Sequence, residues 1–284
     1  ILYTKISSGT RKMGYSKVNF LRRSGENRIM LTYIGQMGYV IDGLGLRVVI
    51  DPYLSYSVDR ECSDERAEWH RLYPPPIKPE KLGGVDFVFL THDHLDHTDP
   101  ETLAAIAAAS PAAMFAASAA FSDKLTSYGI PASRVIPLDS DKTIALSDDV
   151  AVTPIPAAHE KLHPTDRCGF AELGFVFDFG GRKIYHAGDT CVYPGLARRI
   201  EGALAAIMPV NGRDSERAEI GVVGNMNIAE AAKLSVTAGI KLLLPAHWDL
   251  YENNGETREN IVSAMAEHPN QRYRLPSPGE TIIL

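Results

Sequence analysis

Thr91-His92-Asp93-His94-Leu95-Asp96-His97 sets three imidazoles and two carboxylates into six consecutive residues, directly after the apolar run Val85-Asp86-Phe87-Val88-Phe89-Leu90. That run is rich in β-branched and aromatic side chains and reads as a buried strand. In a loop leaving the strand, His92 and His94 point the same way, with Asp96 and His97 one turn further on. All four can then converge on one point. A divalent metal needs several nitrogen or oxygen donors around one centre, and this stretch supplies them. The plain alternative is a polar loop with accidental histidines.

Working outward, the same device recurs three times. Val150 to Ile155 runs through Pro156-Ala157-Ala158 to His159; Lys183-Ile184-Tyr185 through His186-Ala187-Gly188 to Asp189; Leu242-Leu243-Leu244 through Pro245-Ala246 to His247. Each time an apolar strand gives way to small residues, which allow close approach of backbone and ligand, and then to a metal-ligand type. Five of the nine histidines sit in this device, which scattered surface histidines would not produce. His70, His163, His186 and His268 are read as structural or surface residues, with His186 and His163 weak candidates for leaving-group acid.

The rest of the chain supplies a frame. Met30 to Ile34, Gly38 to Ile41 and Leu46 to Asp51 read as an antiparallel meander with a hairpin turn at Gly43-Leu44-Gly45. A long polar connection to Gly84 is expected to wall the pocket. Asp99, Pro100 and Glu101 form a helix start, and Ala119 to Tyr128 reads as a helix stopped by Gly129. Strand-like runs follow up to His186, and alternation returns with a capping box at Asn227-Ile228-Ala229-Glu230. Antiparallel strands followed by strand–helix alternation, once in each half, predict a mixed α/β (α+β) fold, a four-layer αββα sandwich.

With this order of ligands the sequence resembles the metallo-β-lactamase-fold hydrolases over roughly residues 29–284, as one domain. Thr91 to His97, His186-Ala187-Gly188-Asp189-Thr190 and Pro245-Ala246-His247-Trp248-Asp249 look most like the branch containing L-ascorbate-6-phosphate lactonase. The resemblance implies one metal on His92, His94 and His159, and a second on Asp96, His97 and His247, with Asp189 bridging. One or two ions are expected, Zn²⁺ or Mn²⁺ ahead of Fe²⁺, because di-iron members carry Glu where His94 stands. Asp96 and Asp189 are the expected catalytic carboxylates, Asp96 serving as base where a single ion binds. Asn211, Arg213 and Trp248 are candidate substrate contacts, and Asp249 a candidate support for an imidazole. Cys191 is expected to fill space.

Composition narrows the classes. The net charge of -6 argues against general nucleic-acid affinity, and no window approaches the length of a membrane span. Three widely spaced cysteines, without a Cys-x-x-Cys pair, suit a reducing cytoplasm. The basic segment 1–28 is read as an extension without function. The expected partner is a small anionic ester or lactone, such as a sugar phosphate; homo-oligomers are compatible with the pattern. The alternatives are a phosphodiesterase and a non-catalytic binding protein that keeps the fold.

Overall fold

A computed structural model describes residues 28–284, so all but the last residue of the expected extension lies outside the described residues. Two mixed sheets form the frame. The first is ordered Thr281–Ile283, Met30–Gly35, Gly38–Gly43, Leu46–Ile50, Phe87–Leu90, Met114–Ser118, Val135–Leu138. The second is ordered Leu243–Ala246, Ala205–Pro209, Arg182–His186, Leu173–Phe179, Val150–Pro156, Ile144–Ala145. Each sheet is antiparallel in one half and parallel in the other.

Period-two alternation builds the layers. Val48, Ile50 and Phe89 of the first sheet meet Phe175, Phe177, Ile184 and Ile207 of the second in a shared core, with Phe89 edge-on to Phe177 at 5.1 Å between ring centres. Val49, Val88 and Leu90 point the other way, onto Leu103 and Ile106 of the helix Pro100–Ala109. Tyr185, Ala206, Met208 and Leu243 face the helices Leu196–Arg199, Ile228–Thr237 and Arg258–Ala266. The result is the expected αββα sandwich.

Local signals explain the element ends. The Asp99 side chain accepts from the Thr102 amide with Pro100 in the first turn, and Asn227 and Glu230 form the reciprocal capping box. At the hairpin, Leu44 (φ 47°) and Gly45 (φ 81°) both adopt positive φ, as a twist-matched two-residue turn requires, and Leu44 is held there by packing on the inter-sheet core. The expected helix from Ala119 to Tyr128 is instead a short 3₁₀ segment, Ser122–Tyr128, ended by Gly129 at φ 82°. Ala119 is drawn off it by its amide, which bonds the Leu138 carbonyl of the neighbouring strand.

Topology decides where the ligands go. Val150–Pro156 and Arg182–His186 both run antiparallel to Leu173–Phe179, hence parallel to each other, and Ala205–Pro209 and Leu243–Ala246 continue that direction. The residues that follow these strands, His159, Asp189, Asn211 and His247, therefore emerge at one end of the sheet. The Leu173 amide binds the Thr91 carbonyl at 3.0 Å, bringing the His92 loop of the first sheet to that same end.

Candidate metal centre

Seven side chains from four loops meet there. His92, His94 and His159 offer ring nitrogens all within 4.8 Å of one another, as do the donor atoms of Asp96, His97 and His247; Asp189 joins His92 and His97 in a third such group. Asp189 lies between the two halves: its Oδ1 is 3.4 Å from His97 Nε2, and its Oδ2 is 3.3 Å from His247 Nε2 and 3.9 Å from His159 Nδ1. Asp96 Oδ2 is 3.4 Å from His247 Nε2 and 3.6 Å from His97 Nε2.

These atoms lack the partners that buried polar groups normally find. His92 Nε2, His97 Nε2, both nitrogens of His159, Asp189 Oδ1 and His247 Nδ1 are buried without a hydrogen bond. His92, His97, His159 and Asp189 each bring such an atom to the cluster, an arrangement that fits a divalent cation. Small residues allow the approach. Gly188 has φ 60°, and a Cβ there would lie 2.8 Å from both the Leu173 carbonyl oxygen and Thr91 Cβ.

A supporting layer fixes the donors, and most of it was invisible in the sequence. Asp51, fully buried at φ 43°, accepts from His97 Nδ1 (2.8 Å), Thr91 Oγ1 (2.6 Å) and the Thr91 amide (2.9 Å). Gln36 Nε2 donates to Asp96 Oδ2 at 2.7 Å and stands 3.1 Å from His247 Nε2, while the Gln36 carbonyl accepts from the His247 amide. Asn225 Nδ2 donates to Asp189 Oδ2 at 2.9 Å. Replacing Gln36 by Ala removes the hydrogen bond that orients Asp96. Metal affinity should fall by roughly 10–100-fold, as is usual for lost ligand supports, which a chelator-competition titration would measure.

The remaining candidates stand elsewhere. Asn211 is buried behind the ligands, bonding Asn254 Oδ1 at 2.6 Å and accepting from Asn225 at 3.1 Å, so it braces the Asp189 support. Arg213 is corrected: its guanidinium grips Glu230 through two bonds of 2.7 Å and also the Asn225 carbonyl, closing the helix start rather than facing the cavity. Trp248 packs on the apolar layer under the helices. Asp249 supports no imidazole; it accepts from Tyr33 (2.6 Å) and Tyr73 (3.0 Å). His186 bonds the Met37 carbonyl and accepts from the Gly188 amide, and His163 pairs with Glu172; neither lines the cavity over the cluster. Cys191 is buried filler, as expected.

The charges divide by position. Burial lowers His92, with His97 and His94 adding repulsion, and pushes His159 down to about 4. Burial opposes protonation of His97 and His247 too, but Asp189 and Asp96 outweigh it. His97 is raised well above its usual value and His247 to about 9. In return, and again against burial, these imidazoles hold Asp96 and Asp189 well below the usual carboxylate range. A cation must displace the protons on His247 and His97. Apparent metal affinity should therefore rise from pH 6 to about 9, with proton release on binding. Calorimetric metal titrations in buffers of different protonation heat would show it; a pH-independent affinity would contradict it.

Imidazoles and carboxylates collected at one end of an αββα sandwich define a centre of the metallo-β-lactamase type. The chain belongs to the β-lactamase superfamily domain family, whose model matches residues 46–248. It is 27% identical over 274 residues to an uncharacterised protein of Mycobacterium tuberculosis, covering 92% of this chain and 70% of the relative. It is 24% identical over 258 residues to a UPF0173 metal-dependent hydrolase of Pyrobaculum neutrophilum, covering 90% of this chain and all (100%) of the relative. A possible metal-dependent hydrolase from Veillonella parvula shares the fold, with a TM-score of 0.72 at 17% identity, covering 89% of this chain and 98% of the other. Family and relatives together make this a metal-dependent hydrolase of the metallo-β-lactamase superfamily.

Proposed function

We propose that the chain hydrolyses a carboxylic ester or lactone of a small molecule, with water activated in the cradle of His92, His94, His159, Asp96, His97, His247 and Asp189. The observation that carries this reading is the convergence of seven donors, five of them with buried nitrogen or oxygen atoms that no protein group satisfies. Divalent ions bound in such a cradle supply acidity to a water and polarise a carbonyl oxygen. Three imidazoles suit Zn²⁺, and the half containing Asp96 suits Zn²⁺ or Mn²⁺.

The chain's own groups do the rest. Asp189 ties the two halves together. Asp96 lines the cavity together with Asp189, and Gln36 fixes its orientation; where a single ion binds, Asp96 is placed to take the water's proton. Against burial, His97 and His247 hold its carboxyl well below the usual range, so it stands ionised beside them. The sugar-phosphate lactone suggested by the resemblance has no cation waiting for it in the cavity wall among the described residues, and Arg213 is engaged by Glu230. The proposal therefore stands on the carbonyl carbon and not on a phosphate. Free Cys62, Cys168 and Cys191 support a cytoplasmic location, and no helix among the described residues is long and apolar enough to cross a membrane.

The test is metal content by elemental analysis followed by a panel of lactones, aryl esters and bis(p-nitrophenyl) phosphate, each with and without chelator. Ester or lactone turnover abolished by chelator is the expected result. Turnover confined to the phosphodiester would overturn the choice of bond, and metal-loaded protein inert to the panel would overturn the reading.

A further inference from the structure

We infer that the substrate is small and uncharged, with an apolar group seated against Val58, Trp69, Leu95, Val222 and Val223; this deepens the hydrolase reading above and rests on it. The cavity over His94, Asp96, His159, Asp189 and His247 has a volume of about 210 Å³. Sites for drug-sized ligands usually measure about 300–1,000 Å³, so this one takes only a few carbon atoms beyond the reacting bond.

Its wall is assembled from segments distant in sequence. Val58 belongs to the helix Ser57–Glu61, Trp69 to the connection after it, Leu95 to the ligand loop, and Val222 and Val223 follow the helix Ser215–Glu219. The Trp69 ring stands edge-on to Tyr251 at 5.4 Å, and the Tyr251 hydroxyl is held by Tyr53 (2.8 Å) and Asp59 (2.9 Å), so this side of the wall is braced. Val223 is 37% exposed, an apolar side chain left to water at the mouth. A ligand with an apolar end would cover it.

Charge points the same way. Among the described residues, the ionisable groups in the lining are Cys62, the Tyr251 phenol and the imidazoles and carboxylates of the centre itself, and no Lys or Arg lines the cavity. Nearby cations are already engaged. Arg66, whose Nη1 would lie 3.5 Å from a Cβ at Gly221, pairs with Asp64 through Nε and Nη2, at 2.9 and 2.6 Å, on the exposed surface. Lys124 is bound by Asp93. A distal charge of either sign would leave water for an apolar wall without gaining a partner.

Steady-state kinetics on the metal-loaded protein test this with p-nitrophenyl esters of matched length: butyrate, hemisuccinate with its distal carboxylate, and an analogue ending in trimethylammonium. The expected result is a kcat/KM for the butyrate at least about tenfold above both charged esters. Val223→Lys at the exposed rim should narrow the gap to the hemisuccinate with metal content unchanged. A charged ester hydrolysed as well as the butyrate, or a hemisuccinate rate indifferent to Val223→Lys, would overturn the inference.

Binding separates this from failure of the hydrolase reading. The chain has two tryptophans, so Trp248→Phe leaves Trp69 as the reporter. Its emission should respond to uncharged aliphatic amides with affinity rising as the chain lengthens from two to about five carbons, and not to alkylammonium ions of the same length. Equal binding of both would overturn the substrate class even in a protein that turns over none of the esters.

Discussion

Asp189→Ala should lower kcat/KM on the order of 10³-fold or more and reduce bound metal with it. Asp189 lies within 4 Å of donors in both halves: it faces His97 and His247 directly and His159 at the margin. Its removal takes a carboxylate from each set of ligands and strands the Asn225 amide that now donates to it. It also removes the main charge that holds His247 and His97 protonated, so both imidazoles should titrate lower in the metal-free variant. Elemental analysis, kinetics and the imidazole resonances followed by NMR across pH would read the three effects. A variant with full metal and wild-type turnover would take Asp189 out of the centre.

Asp51→Ala should cost about 3–5 kcal/mol of stability, the scale for breaking a buried charged network. His97 Nδ1, the Thr91 hydroxyl and the Thr91 amide all lose their acceptor in a fully buried place. Alanine is also a poorer occupant than aspartate of the left-handed conformation at φ 43°. Asp51→Asn separates the roles. Asparagine tolerates that conformation and keeps one acceptor for the Thr91 amide, but turns an NH₂ toward the groups that Oδ2 now receives. It should therefore fold better than the Ala variant while binding metal roughly 10–100-fold more weakly than the wild type. Thermal unfolding and chelator competition on both variants would check this; an Asp51→Ala protein as stable as the wild type would show that His97 is held by something else.

The contrast between Asp189 and Asp51 shows what the sequence made legible. Asp189 follows a strand and Ala187-Gly188, so its place in the cluster could be read from local pattern; the same holds for His92 to His97, His159 and His247. Asp51 also ends a strand, but its significance lies in an interaction with Thr91 and His97 some forty residues on, and nothing local marks it. Gln36 escaped for the same reason: an amide in a tight turn looks like a turn residue until the fold shows what it touches. Arg213 failed in the opposite direction. A guanidinium after a strand resembles an anion anchor, yet Glu230, already legible as half of a capping box, claims it across seventeen residues. Asp249 was misjudged because closeness in sequence to His247 says little where the backbone turns sharply, as it does at φ 59° on His247.

The layered fold was more accessible than the supporting contacts because period-two burial is local and the helix starts carry their own caps. Ala119 to Tyr128 shows the limit: a glycine-stopped run that read as a helix is shortened to a 3₁₀ segment by pairing of Ala119 with the neighbouring strand.

The seven side chains are expected to hold a divalent metal together. Elemental analysis of the protein after exhaustive dialysis, beside His94→Ala prepared identically, tests this directly. At least one equivalent of a divalent transition metal per chain, lost together with activity in the variant and on chelation, is the predicted result. Hydrolytic activity that persists in thoroughly chelated protein, or His94→Ala retaining both its metal and its turnover, would contradict it.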